Sequence, residues 1–321
     1  MSILKSYSLI TKFFYQTVFK LPYCLETLYF INKFFFLKKN NSKNKHIFIL
    51  GFPRSGTTKF LQMFPEKDFS KLSYEYMPFI LSPHLNRGLK FILYPFKKKK
   101  KKFKRFHSDK MIIDENTAEG LEEIFFNRLN KKEFKNYINL ILNYTKKKRY
   151  ISKNNYSFKR IDFIKKTFKN SMIFVLFRSP TQHVMSTIAN HQIFKKLHTH
   201  NPFLLEYMNL TFHNEFGIGH KSYIKGKNNN FDDSNYWLEQ WLLYYKNILS
   251  MKKDYYLIDY KDLFSKNFFL NKLSIKIDIT LFNNSKFRIK KRNYNLKFDK
   301  DLLSESNLIY KKLQKLSKQK I

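Results

Sequence analysis

An eight-residue segment, Gly51–Thr58 (GFPRSGTT), contains the residue types that bind an anionic group through the backbone. Its two glycines lie five positions apart, and the segment stands between an apolar run, His46–Leu50, and a stretch with helical spacing, Thr57–Phe64. Glycines allow backbone N–H groups to turn inward around an anion, and the N-terminus of a following helix adds its positive dipole end. The segment therefore predicts a phosphate-binding loop between a strand and a helix.

The loop has the glycine spacing of the P-loop of nucleotide hydrolases, but it lacks their metal-dependent parts. Thr57 stands where those enzymes carry the lysine that reaches the β- and γ-phosphates, and Arg54 supplies a positive charge inside the loop instead. A second long apolar run, Ser171–Phe177, ends at Arg178, where a hydrolase has a Mg²⁺-binding aspartate. We therefore expect anion binding without Mg·ATP hydrolysis and without a metal ion.

The loop and the second apolar run together resemble the PAPS-dependent sulfotransferases, where PAPS is 3′-phosphoadenylyl sulfate. The common form of their 5′-phosphosulfate loop is G-x-P-R-S-G-T-T, which Gly51–Thr58 matches. The second half of their signature is an arginine at a strand end followed eight positions later by a serine, and Arg178 and Ser186 match it. The resemblance covers residues 45–190 well and the rest loosely, and its motif pattern is closest to bacterial carbohydrate-type and tyrosylprotein sulfotransferases.

The resemblance implies which residues bind PAPS as co-substrate. It assigns nucleotide binding to Arg54, Ser55, Gly56, Thr57, Thr58, Arg178 and Ser186. PAPS carries a 3′-phosphate that ATP lacks, and a guanidinium forks onto such a group while a nearby hydroxyl donates to it. These are the roles implied for Arg178 and Ser186.

The resemblance also implies catalytic roles for Glu75, Arg54 and Lys153. Similar enzymes have a glutamate about twenty residues after the loop arginine, and a lysine about twenty-five residues before the 3′-phosphate arginine; Glu75 and Lys153 match these positions. Glu75 is the candidate base for the acceptor proton. Arg54 and Lys153 would stabilise the charge that grows on the oxygen leaving with 3′,5′-ADP.

Other polar clusters give weaker predictions. His107 and Asp109 precede the most acidic patch of the chain, and they would line the acceptor side or supply the base; alternatively, the patch is only a helix start with favourable acids. His213–Gly217 resembles an acceptor-side segment of some bacterial members. Trp237 and Trp241, four positions apart, indicate core packing. Solvated or capping roles are expected for His183, His191, His198 and His200, which show no metal-ligand spacing with carboxylates.

Short apolar runs that alternate with helical patterns predict an α/β fold: a P-loop NTPase-like parallel sheet flanked by helices, with helical insertions. Besides the two long strands, shorter strands are predicted at Lys71–Tyr76, Arg149–Ser152 and Asp254–Asp259. The further predicted helices are Pro180–Asn190, Ala118–Leu129, Glu133–Lys146, Tyr156–Phe168, Asp233–Met251 and Leu302–Leu316. Residues 1–44 form a basic aromatic lead-in. Residues 45–321 form a single domain with a basic loop insertion at about 84–110, which contains the run Lys97–Lys102.

The 321-residue chain carries 62 Lys and Arg against 24 Asp and Glu, a net charge of +38. Lys, Asn, Ile, Phe and Tyr share AT-rich codons, so codon bias is the favoured explanation of the lysine excess, and a preference for anionic partners is the alternative. Bulk charge steers anions without specifying one, and no specific nucleic acid is expected. Cys24 is the only cysteine, which excludes an intramolecular disulfide. With no visible export signal or spanning segment, we expect a cytoplasmic protein.

These observations predict a bacterial enzyme that transfers a sulfuryl group from PAPS to an acceptor hydroxyl on a carbohydrate or glycolipid. The spacing of Arg54 and Glu75 leaves a protein-tyrosine sulfotransferase as an alternative. A non-enzyme alternative is a basic protein that binds nucleic acid or a membrane surface and keeps a degenerate P-loop. Residues 1–38 either pack on the domain or form an amphipathic surface for an anionic membrane.

Overall fold

The structure is a computed structural model, which describes residues 9–38, 45–93, 103–104, 112–114, 116–117, 120–251, 255–264, 268–282 and 296–320. At its centre lies a five-stranded sheet in which all neighbouring strands are parallel. In spatial order its strands are β2 (Phe69–Ser70), β5 (Arg149–Lys153), β1 (Ile47–Gly51), β6 (Met172–Phe177) and β7 (Tyr256–Asp259). A separate antiparallel pair joins β3 (Phe103–Lys104) and β4 (Ile112–Ile113).

The sheet is covered on both faces, which explains the uninterrupted apolar runs of its strands. Phe48 and Leu50 of β1 point into the larger hydrophobic cluster, while Ile47 and Ile49 point into a smaller one on the opposite face. The described helices are α1 (Leu9–Lys20), α2 (Cys24–Phe36), α3 (Thr57–Leu61), α4 (Pro83–Leu93), α5 (Glu122–Arg128), α6 (Phe134–Thr145), α7 (Ile161–Thr167), α8 (Pro180–His200), α9 (Pro202–Leu210), α10 (Ser234–Ser250), α11 (Phe268–Ile277) and α12 (Lys300–Lys320). The predicted α/β class, a parallel sheet flanked by helices, is confirmed.

Several local predictions need correction. The strand predicted at Lys71–Tyr76 is wrong: β2 pairs over only two residues, and the chain then turns so that Leu72 and Tyr76 pack into the larger cluster. Residues 74–76 form a 3₁₀ turn. The helix predicted from Tyr156 begins with a 3₁₀ segment, Asn155–Arg160, and α8 continues ten residues beyond Asn190.

The predicted insertion at 84–110 begins with a helix, since α4 occupies residues 83–93. The lysine run Lys97–Lys102 lies outside the described residues. Trp237 and Trp241 are fully buried on α10, which confirms the prediction of core packing.

The N-terminal helices α1 and α2 form a hairpin that packs on the larger cluster through buried side chains that include Phe19, Leu25 and Tyr29. The Tyr29 hydroxyl donates to a Glu133 carboxylate oxygen at 2.7 Å. Within the described ranges, no helix combines the length and apolar character that crossing a bilayer requires.

Candidate active site

The parallel sheet brings the predicted site residues to one edge, because the carboxyl ends of parallel strands lie side by side. The loop follows β1, Arg178 follows β6, and Lys153 is the last residue of β5. Glu75 lies on the 3₁₀ turn that follows β2. Three separate segments of the sequence therefore meet at the same end of the sheet, whereas β2, which precedes Glu75, pairs with Arg149 and Tyr150 at the start of β5.

The loop after β1 is a tight turn with two residues in the left-handed region. Arg54 has a φ of 79° and Gly56 a φ of 98°, a conformation that is unusual for an arginine. Alternating left- and right-handed residues point successive N–H groups to one side and create a concave anion site. A β-carbon on Gly51 would lie 2.5 Å from the Leu176 carbonyl oxygen, so β6 passes too close for any other residue.

Hydroxyl groups lie beneath this turn. Ser55 and Thr57 are buried, whereas Thr58 is half-buried. The Ser55 hydroxyl makes no hydrogen bond of normal geometry to the described residues, although the Tyr245 hydroxyl lies close to it. The Ser55 side chain therefore packs inside the turn, next to Tyr245.

The two halves of the predicted motif meet directly. Arg54 Nε donates to Ser186 Oγ at 3.4 Å, which joins the loop to α8 across 132 positions of sequence. Both Arg54 and Arg178 lie near His183, whose pKa their charges help to lower. The loop arginine, Arg178 and Ser186 thus form one cationic group at the edge of the sheet.

His183 supports the loop through a hydrogen bond to its backbone. The Trp241 indole N–H donates to His183 Nδ1 at 3.1 Å, so the ring proton sits on Nε2 and is donated to the Pro53 carbonyl at 2.8 Å. Burial lowers the pKa of His183 to about 3. This fully buried histidine is neutral, and the solvated or capping role predicted for it is wrong.

Two tyrosines that the sequence did not indicate complete the support of the loop. The Tyr245 hydroxyl receives a hydrogen bond from the Phe52 N–H at 3.4 Å and donates to the Leu176 carbonyl at 2.7 Å. The Arg178 guanidinium lies 4.6 Å from the centre of the Tyr260 ring. A β-carbon on Gly56 would meet that same ring at 2.5 Å. Tyr260 therefore orients Arg178 and also packs against the loop at Gly56. In the sequence, the only indication of this role was its position directly after the strand β7.

Glu75 and Lys153 are the two other predicted catalytic residues. Glu75 is exposed, and its backbone carbonyl accepts a hydrogen bond from the Asn86 side chain at 3.2 Å. Lys153 is half-buried and pairs in register with Ile49 of β1, two residues before Gly51. Lys153 thus belongs to the end of the sheet that carries the loop, whereas Glu75 follows a strand that pairs with the start of β5 and its charge acts on Tyr144.

The acceptor-side candidates have different outcomes. His107 and Asp109 lie outside the described residues. In the segment 213–217, His213 and Glu215 are partly exposed, each with 19% of its side chain accessible. Burial raises the pKa of Tyr156, three residues after Lys153, and the nearby Glu215 carboxylate raises it further. Tyr156 stacks on Tyr223 with ring centres 4.5 Å apart.

This aromatic pair adjoins the loop, because Tyr223 packs edge-on against Phe52 with ring centres 5.4 Å apart. His213 Nε2 is buried and has no hydrogen-bond partner among the described residues. The segment 213–217 and the tyrosine pair therefore supply polar and aromatic groups next to the cationic group.

Comparison with known proteins identifies the family of this chain. A sequence model described as "Sulfotransferase family" matches residues 46–213, which is more than half of the chain. The chain belongs to the sulfotransferase family. The predicted family is confirmed, and with it the prediction that the protein is a transferase enzyme. No curated protein matches the sequence.

Several solved structures are similar to this chain. One of them is the sulfotransferase STF1 of Mycobacterium tuberculosis H37Rv, with 12% sequence identity and a TM-score of 0.38. The similarity covers 91% of this chain and 75% of that chain. The family assignment rests on the sequence match over residues 46–213.

Proposed function

We propose that this sulfotransferase uses PAPS as its donor and transfers the sulfuryl group to a hydroxyl of a carbohydrate or glycolipid. The observation that carries the proposal is the contact between Arg54 and Ser186, with Arg178 beside the same histidine. It gathers two guanidinium groups and a hydroxyl where a nucleotide with two separate phosphate-type groups would need them.

The residues present fit such a nucleotide. Arg54 and the N–H groups of Ser55–Thr58 would hold the 5′-phosphosulfate. Arg178 and Ser186 would hold the 3′-phosphate, with the guanidinium oriented by the Tyr260 ring. PAPS, when bound, supplies the sulfuryl group and leaves as 3′,5′-ADP.

The remaining chemistry belongs to side chains of this protein. Glu75 accepts the proton of the acceptor hydroxyl while the acceptor oxygen forms its bond to sulfur and the bond from sulfur to the phosphate oxygen breaks. Arg54 and Lys153 stabilise the negative charge that appears on that phosphate oxygen. No metal ion is needed for these roles.

The choice of a carbohydrate or glycolipid acceptor is supported by the groups beside the loop. The half-buried ring of Tyr156, which stacks on the fully buried Tyr223, offers an aromatic surface, while Glu215 and His213 offer hydrogen-bonding groups to hydroxyls. The alternative acceptor, a protein tyrosine, is favoured by the spacing of Arg54 and Glu75 alone.

Calorimetry tests the donor. We expect 3′,5′-ADP to bind more tightly than 5′-AMP, with or without EDTA, and Arg178→Ala to weaken binding of 3′,5′-ADP by roughly 10- to 100-fold because a charged hydrogen-bonding partner is lost. Arg149→Ala is the matched control, since Arg149 begins β5 at the opposite end of the sheet. Equal affinities for the two nucleotides would exclude PAPS as the donor.

Radiolabelled PAPS tests the acceptor. After incubation with an extract of the host cell, we expect the label in glycolipid or polysaccharide. Label recovered in protein, as sulfated tyrosine, would replace the carbohydrate proposal with the tyrosine alternative.

A further inference from the structure

The N-terminal hairpin exposes an unusual concentration of large apolar side chains. Among the described residues, eight of the thirteen exposed large hydrophobic side chains lie between Phe13 and Phe36. We define the hairpin face as Leu21, Tyr23, Phe30, Ile31, Phe34 and Phe35. Phe34 is 83% exposed, Tyr23 is 74% exposed and Phe35 is 70% exposed. A contiguous apolar patch of this kind marks an interaction surface.

The hairpin face is held outward by contacts on the other side of α2. Leu25, Tyr29 and Asn32 are the buried residues of this helix. The Asn32 side-chain oxygen accepts hydrogen bonds from the His84 and Leu85 N–H groups at 3.1 and 3.3 Å. The Glu133 carboxylate accepts hydrogen bonds from the Lys33 ammonium at 2.7 Å and from the Tyr29 hydroxyl. These contacts fix the rotation of α2, so its exposed rings are not available to the protein's own core.

Spacing places the exposed rings together. Phe30 and Phe34 are four residues apart, as are Ile31 and Phe35, so both pairs lie along the same outer side of α2. The face therefore covers the C-terminal half of α2, with Leu21 and Tyr23 adding apolar side chains at the turn before the helix.

The charge around the hairpin face selects the partner. Glu26 is the only acidic residue between positions 9 and 38, and it lies 3.6 Å from Arg128. The same stretch contains four lysines. Lys33 pairs with Glu133 and Lys20 with Glu206. The positive charge offered to a partner therefore comes from Lys12 and Lys38. Lysine stems bury along apolar surface while their ammonium groups reach anions. The surface thus combines exposed aromatic rings with a cationic setting in a chain of net charge +38.

We propose that the hairpin face docks on an anionic lipid bilayer, with its aromatic rings at the level of the headgroups and the helices parallel to the membrane plane. Apolar burial and electrostatic attraction act together at such a surface. A second copy fits less well, since each copy brings the same net charge of +38. The inference is independent of the proposed sulfuryl transfer.

Vesicle co-sedimentation of the full chain tests this docking. We expect binding to vesicles of phosphatidylcholine mixed with phosphatidylglycerol, and weaker binding to phosphatidylcholine alone. The double variant Phe34→Ser/Phe35→Ser should bind the anionic vesicles at least about tenfold more weakly, because two rings no longer leave water. The matched control is Ile275→Ser, since Ile275 is also 83% exposed but lies on α11.

A spectroscopic variant locates the contact. Both native tryptophans are fully buried, so the added indole of Phe34→Trp should report its own surroundings and shift to the blue with anionic vesicles. The indole of Ile275→Trp should not shift. Unchanged binding of the double serine variant would show attraction by bulk charge alone and would overturn the proposal. A dimer that the double variant dissociates, without vesicle binding by the native chain, would assign the face to a second copy instead.

Discussion

At the scale of single residues, Glu75 is the group whose role in the proposed reaction can be isolated. Its side chain is exposed, while its backbone carbonyl accepts a hydrogen bond from the Asn86 side chain. Glu75→Gln keeps the shape of the side chain but removes its capacity to take a proton. We expect turnover in a PAPS assay to fall by about 10²- to 10⁴-fold, whereas calorimetry should give an unchanged affinity for 3′,5′-ADP.

Glu66→Gln is the matched control for this variant. Glu66 is 80% exposed and pairs with Lys71, so its loss should leave turnover within about twofold, as expected for an exposed ion pair. If Glu75→Gln retains full turnover, another group takes the acceptor proton, and the base must then be sought among His213, Glu215 and the unassigned His107 and Asp109.

At the scale of elements, α10 carries two tryptophans whose substitution distinguishes an effect on the loop from an effect on stability alone. Trp241 donates to His183, which in turn holds Pro53; Trp237 donates at 2.8 Å to the Phe231 carbonyl, away from the loop. Replacing either by Phe removes one buried hydrogen bond and should cost about 1–3 kcal/mol of unfolding free energy. Only Trp241→Phe should also weaken 3′,5′-ADP binding, by roughly tenfold, because the loop loses its brace.

Urea unfolding and calorimetry on both variants provide the two measurements. Equal nucleotide affinities for Trp241→Phe and Trp237→Phe would mean that His183 packs beneath the loop without positioning it. A loss of affinity in both would instead indicate a general loosening of α10.

Some elements of the fold were predictable from the sequence and others were not. β1 and β6 were predictable because strands buried on both faces read as uninterrupted apolar runs, and Gly51–Thr58 carries its chemistry within eight consecutive residues. The Lys71–Tyr76 segment misled because edge pairing with β5 ends after two residues, which depends on the neighbouring strand. Tyr260 and His183 were missed because their partners, Gly56 and Pro53, lie far away in sequence.

At the scale of the whole molecule, buried histidines should make stability depend strongly on pH. Burial lowers the pKa of His183 to about 3 and the pKa values of His46, His191 and His220 to about 4. All four are nearly inaccessible to solvent. Each remains neutral in the folded chain but gains a proton near pH 6.5 when unfolded, so the unfolded state binds more protons between these values. Stability is therefore complete above pH 6.5 and declines as the pH falls toward 4.

Glu122 acts in the opposite direction, since burial raises the pKa of this carboxyl to about 7 and the Tyr150 hydroxyl donates to it at 2.6 Å. The four histidines together change the unfolding free energy with pH more than the single carboxyl does. The unfolding free energy from urea titrations should fall by an amount on the order of 3–5 kcal/mol between pH 7 and pH 5.

The variant His46→Asn tests one of these histidines. Asparagine keeps an acceptor for the Tyr150 N–H, which donates to His46 Nδ1 at 3.1 Å. The slope of unfolding free energy against pH should become flatter by about one proton. His200→Asn is the control because His200 is exposed, and its slope should match the native chain. If the unfolding free energy of the native chain rises as the pH falls from 7 to 5, the four buried histidines do not control the pH dependence of stability in this range, and the prediction is wrong.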